Sequence, residues 1–392
     1  MFERWDAVSG ISFEFEANDD GRRLGSVAGV QGVRGDHRIG GHSIDGQTSP
    51  TFLAYNFFPN NADMVIDTDE INRWSNPDNN FLLFRNTIAH EIGHGIGLNH
   101  VEPITQTKLL EPRVSVAFDG PQFDDILGAH RLYGDNNEEN GGNETFFTAT
   151  ELGDLADGSI ISIGTDADDE FVNPWESDFV SIDDNSDVDY FRFSVEAGTF
   201  VDITLTPKGP IYDEGTTEAN ATPFNAAAQS NLTLTLYDTD GTSILEFAND
   251  TGLGGIEAIE GFEALAAGDY FVRVGGLSDA AQFFQLDISA VPEPTSLLLL
   301  VCGVTALIGR RRTEARITDR LGLLVLPSIV PLVLGVPRRS ARDSDRWRCF
   351  RPHRVLPGVS KNARVRAARY ATCNYLCFLA LKQSLTLSLI HI

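Results

Sequence analysis

The stretch HEIGHGIGLNH, residues 90–100, constrains this chain more than any other. It closes a run in which Leu82, Leu83, Ile88, Ile92 and Ile96 recur at three- and four-residue spacings, so a helix is expected over residues 80–97. On such a helix His90 and His94 stand one turn apart and project from the same face. Two neutral imidazoles at that spacing can share one Zn²⁺. Glu91 is the neighbour of the first ligand, placed to take a proton from water rather than to bind the metal. Gly97 lets the backbone leave the helix, often through a positive φ, and the turn brings His100 back as a third ligand. Three protein ligands leave one coordination position open, which marks a catalytic zinc site.

The formal net charge of −26 is unevenly spread. Residues 313–392 carry 14 Lys and Arg against 4 Asp and Glu, whereas residues 1–312 carry 16 against 52. An acidic body of this kind disfavours nucleic acid as a partner. None of the four cysteines, Cys302, Cys349, Cys373 and Cys377, lies before residue 302, so the acidic body has no disulfide framework.

The chain opens like the end of an amphipathic helix, with Phe2, Trp5 and Val8 three apart, then Gly10 as a stop and ISFEF alternating like a strand. A start inside a helix predicts a signal peptide and a first strand upstream of Met1. Residues 26–75 hold the apolar segments HRIGGHSI, TFLAYNFF and DMVID, broken by Gly, Pro and Asn. A second helix is expected at 123–133, FDDILGAHRLY, with Asp124 and Asp125 at its positive end. Residues 135–143 read as a polar linker and 144–290 as a sandwich of antiparallel strands, in runs such as DYFRFSV, FVDITLTP, NLTLTLYD and DYFVRVGG. Residues 291–312 join a Pro-Glu-Pro turn to an apolar run, 297–308, and three arginines. That run is shorter than the roughly 20 residues of a comfortable membrane span, though with its flanks it can cross a thinned bilayer with the arginines on the cytoplasmic side. The basic, Pro-broken stretch 313–392 has no periodicity and no chemistry, and reads as spurious translation or as a second membrane segment.

HExxHxxGxxH is the metzincin signature, and its surroundings resemble the matrixin branch of those zinc endopeptidases. FDDILGAHRLYG resembles the matrixin C-terminal helix, FLAYNFFPNNADMVIDTDE the strand bordering the cleft with its following loop, and FERWDAVSGISF the end of the first helix and the next strand. The resemblance covers nearly all of residues 1–134 and implies an α+β zincin-like fold without its usual first strand. It implies zinc on His90, His94 and His100, with Glu91 as general base. It also implies a calcium site at Asp45, Asp67 and Glu70, and a peptide substrate paired along Leu53–Phe57. The turn beneath the zinc carries Met in metzincins; here KLLEP puts Leu110 there, and Val101 stands where matrixins often have Ser. Tyr55 and Val65 replace ligands of the family's structural zinc. His37 and His42 read as plain loop or strand histidines, and His130 as a surface or packing residue.

NETFFTATELGDL, DVDYFRFSVEAGTFVDITL and ALAAGDYFVRVGG resemble the bacterial pre-peptidase C-terminal domain, a jelly-roll-like sandwich attached to secreted proteases. VPEP, a short apolar run and RRR resemble the PEP-CTERM sorting signal of Gram-negative bacteria. This implies an exosortase partner, transient membrane insertion and export to the envelope, cell surface or extracellular matrix. The whole is expected to be a multidomain zinc endopeptidase acting on proteins. A non-catalytic surface or matrix protein with a vestigial peptidase domain is the alternative reading, and a zinc hydrolase of non-peptide substrates a third.

Overall fold

The computed structural model describes residues 1–46, 52–139, 141–215, 217–291 and 387–388. The apolar stretch 297–308 and nearly all of the basic tail lie outside them. Among the described residues no helix is long and apolar enough to cross a membrane.

Trp5 anchors the first lobe. It sits on the short helix α1 (Phe2–Asp6), is fully buried, and its indole Nε1 donates to Ala89 O at 3.0 Å. The acceptor lies on the long helix α3 (Leu82–Gly95), which follows a shorter one, α2 (Ile71–Trp74). Helix α3 starts two residues later than periodicity suggests, because Asn79, Asn80 and Phe81 all take positive φ. Three strands flank it: β1 (Arg38–His42), β2 (Ala54–Asn56) and β3 (Met64–Asp67). β3 is buried at every position, which a central strand requires. It runs parallel to β1 and antiparallel to β2. Helix α4 (Phe123–Tyr133) closes the lobe on a capping box between Gln122 and Asp125.

ISFEF forms no strand: Ile11 is buried and Phe13 half-buried, but the segment holds only a single bridge residue, Glu14. Gly10 is more than a helix stop. A Cβ there would lie 2.2 Å from Tyr133 O, so the first lobe closes by backbone-to-backbone approach at this point.

The second lobe is a sandwich. Its strands are β4 (Thr150–Asp154), β5 (Ile160–Ile163), β6 (Ser181–Ile182), β7 (Val188–Val195), β8 (Phe200–Pro207), β9 (Ile211–Glu214), β10 (Thr222–Asn225), β11 (Leu232–Tyr237), β12 (Ile244–Ala248), β13 (Glu257–Glu263), β14 (Gly268–Gly276) and β15 (Gln282–Val291). One sheet runs β12-β11-β14-β7-β4 and the other β13-β8-β15-β5, with β6 on β15; β9 and β10 form a separate hairpin. β7 and β8 alternate buried and half-buried residues along their whole length, so each turns one face to a shared core of Phe191, Phe193, Ile203, Leu205, Leu234 and Phe284. One pairing departs from the expected antiparallel pattern: β4 runs parallel to β7. The chain passes through the opposite sheet before returning, and a parallel pair needs such a crossover. A two-residue strand, Leu387–Ser388 (β16), pairs antiparallel with β1.

The two lobes share a third core. Val8, Phe123, Ile126 and Leu127 from the first meet Phe179, Tyr212 and Phe283 from the second. His130 is buried in this junction, its Nδ1 2.8 Å from Ser181 Oγ and its Nε2 2.8 Å from Val8 O. Parting the lobes would return such side chains to water at about 1.5–3 kcal/mol for each one fully exposed. Within the polar stretch 135–143, Asp135 accepts the Ser181 amide at 3.0 Å and Asn143 O accepts the Tyr190 amide at 2.8 Å, so both ends of it are bonded to the sandwich.

Candidate metal centre

Helix α3 presents His90 and His94 on one face, with ring centroids 4.7 Å apart. The helix ends at Gly95, and Gly97 takes φ of +110°, a conformation that L side chains rarely adopt. The Leu98 amide bonds back to Gly93 O at 2.9 Å, and the reversed chain delivers His100. The Nε2 atoms of His90 and His94 then lie 3.2 and 3.1 Å from Nε2 of His100. Among the described residues this is the one group of three His, Cys, Asp or Glu side chains whose ligand atoms all lie within 4.8 Å of one another.

Backbone carbonyls fix the tautomers of two of the three rings. His90 Nδ1 lies 2.6 Å from Leu109 O and His94 Nδ1 2.7 Å from Leu98 O. A carbonyl can only accept, so each Nδ1 carries the proton and each Nε2 turns a bare lone pair toward the centre. Zn–N bonds of 2.0–2.1 Å in a tetrahedron put the nitrogens about 3.3–3.4 Å apart, close to the observed separations. The donor set therefore fits a divalent, nitrogen-preferring cation such as zinc. Burial pushes His90 down to about 3, the adjacent His94 adding to the effect, and burial also lowers His94 and His100. All three are neutral at physiological pH, as metal ligands must be.

Glu91 is 5% exposed, and its Oε2 is buried with no hydrogen-bond partner. Burial pushes its carboxyl up to about 8. A cation at the histidines acts in the opposite sense and favours the carboxylate.

The floor under the histidines comes from the segment 108–111. Leu110 is fully buried and packs against Gly93, where a Cβ would lie 2.8 Å from Leu110 Cδ2. The segment is fastened by Asp125 of α4, whose carboxylate accepts the amides of Leu109 and Leu110 at 2.7 and 2.9 Å. From the sequence Asp125 stands out only as a helix-start acid. Its second role depends on a loop 15 residues upstream and leaves no local signal.

Asp45, Asp67 and Glu70 are not drawn into one ligand set. Asp67 Oδ1 instead accepts the amides of Ile44 and Asp69, capping the turn Thr68–Glu70. Glu70 pairs with Arg73 at 2.8 Å, and Asp45 accepts the Phe52 amide at 3.2 Å. Among the described residues these carboxylates make local turn and helix contacts, while Asp67 Oδ2 is buried with no hydrogen-bond partner. His42 ends β1 and lies at the surface, whereas His37 is fully buried, with neither ring nitrogen bonded. Val101 follows His100 and donates its amide to Leu110 O at 3.0 Å. Strand β2, with Tyr55 at its centre, has a ladder partner on one side only among the described residues.

A three-histidine cluster able to hold a metal ion, on an α+β lobe joined to a β-sandwich, is the class of protein that fold and site define. Residues 1–134 match the family profile described as Matrixin, and residues 187–276 match the bacterial pre-peptidase C-terminal domain. A hatching enzyme of Paracentrotus lividus is 31% identical over 143 residues, which is 34% of this chain and 22% of that protein. The chain thus spans about a fifth of that relative. The crystal structure of the pre-peptidase C-terminal domain of a Bacillus anthracis collagenase aligns over 36% of this chain and 94% of its own, at 15% identity and a TM-score of 0.21.

Proposed function

We propose that this protein is a zinc-dependent endopeptidase. The observation that carries the reading is the convergence of three Nε2 atoms, those of His90 and His94 left proton-free by the carbonyls on their Nδ1 atoms, beside a buried, unbonded Glu91 oxygen. A zinc ion held by His90, His94 and His100 supplies Lewis acidity toward a scissile carbonyl and a water molecule. Glu91 takes the proton of the attacking water and returns it to the leaving amine. The free side of β2 offers backbone donors and acceptors to an extended peptide, which would add as a further strand. Exposed aromatic side chains, Phe52, Tyr55 and Phe58, border that edge and suit an apolar peptide.

Export belongs to the same proposal. Its support is the likeness of residues 291–312 to a sorting signal handled by an exosortase, with passing membrane contact through 297–308. The test of the activity is cleavage of casein and of a panel of peptide and ester substrates, before and after chelation and zinc replenishment. Peptide cleavage that is lost with chelator and restored by zinc supports the reading. Ester cleavage without peptide cleavage points to another hydrolase, and no cleavage of either to a non-catalytic surface protein.

A further inference from the structure

His90 and His94 are held by the helix and by backbone carbonyls, but His100 is exposed and stands on a loop. What fixes that loop lies in the other lobe. Two residues past His100, Glu102 O accepts the amide of Gly215 at 2.9 Å, a β-bridge to the end of β9. The Ile104 amide donates to Glu218 Oε2 at 3.2 Å. Lys108, 1% exposed, donates through Nζ to Asp213 O at 3.1 Å and sits 5.2 Å from the centre of the Tyr212 ring. Tyr212 in turn donates its hydroxyl to Asp124 of α4 at 2.7 Å.

From these contacts we infer that the β9–β10 hairpin of the sandwich is a positioning element of the metal centre, holding the third ligand through the loop that follows it. The inference rests on the reading of His90, His94 and His100 as metal ligands. A buried ammonium is costly unless its charge is met. Here the carbonyl and the aromatic face that meet it both belong to the hairpin. The loop is thereby tied at Glu102, Ile104 and Lys108, and at Leu109 and Leu110 by Asp125. His100 lies between these ties and the fixed turn at Gly97. The sandwich is therefore part of the site's framework rather than a detachable accessory.

The test uses the full chain with Lys108→Met, which keeps the packing of the side-chain stem, and separately with Tyr212→Phe. Both are loaded with Co²⁺ as a spectroscopic probe. Amide exchange is measured over residues 101–104 and over α3. Released from the hairpin, the loop exchanges faster while α3 is unchanged, the cobalt d–d absorption weakens, and metal affinity falls about tenfold. Unchanged exchange at 101–104 together with parental metal affinity in both variants overturns the inference. If the parent itself binds no cobalt, the metal reading fails, and the exchange comparison alone decides whether the hairpin holds the loop.

Discussion

Asp125 Oδ1 accepts the amide of Leu110 at 2.9 Å, so the residue under the histidines is held by the first turn of the last helix of its lobe. The same carboxylate also takes the amides of Leu109 and Gln122 through Oδ2. Removing it leaves three buried donors without an acceptor. Asp125→Ala should therefore lower the unfolding free energy by about 3 kcal/mol. It should also weaken metal binding, because Leu109 O orients His90. Denaturant titration and zinc affinity check this. Parental values for both would show that the floor stands without Asp125.

Gly95 seats the buried ring of His37 against α3. A Cβ at Gly95 would lie 2.1 Å from His37 Cε1 and 2.8 Å from Asn56 Nδ2. The ring cannot easily retreat, because Phe2 and Phe13 stand edge-on to it at 5.6 and 5.9 Å. Gly95→Ala should cost about 1–3 kcal/mol by overpacking. Thermal unfolding of the variant reads this, and an unchanged midpoint would mean that the ring moves aside.

Burial, reinforced by neighbouring carboxylates, raises Asp187 to about 7 and Glu138 to about 8, and lifts Asp189 well above the usual range. The folded state thus holds protons that the unfolded chain has already released. The stability this confers is fully present below the unfolded carboxyl range and is lost as pH rises through the raised values. Asp189→Asn removes one charge that the fold must otherwise bury. In chelating buffer it should melt with the parent at about pH 4.5 and above it at about pH 8. A parent that is the more stable of the two at the higher pH contradicts this.

Much of the site could be read from spacing alone. Helical period puts His90 and His94 on one face, and Gly97 marks where the chain turns to deliver His100. The two sheets of the second lobe were equally plain from alternation in β7 and β8. What escaped depends on partners far along the chain. ISFEF alternates because Ile11 and Phe13 face the core, but alternation reports a buried face, not a neighbouring strand. His37 read as a plain loop or strand histidine, and its pocket is made by Gly95, Phe2 and Phe13, which lie far from it in sequence. Residues 135–143 read as a linker by polarity, and polarity gives no sign that Asp135 and Asn143 within them are fully buried. Lys108 offered no sign that its ammonium would be met from residues 212 and 213.

The central claim is that His90, His94 and His100 hold a zinc ion for which Glu91 serves as base. The most direct measurement pairs zinc content with casein cleavage for the parent protein and for Glu91→Ala. The account predicts one zinc per chain in both, with cleavage reduced at least about a hundredfold in the variant. Equal cleavage by the two proteins, or no zinc in either folded protein, would contradict it.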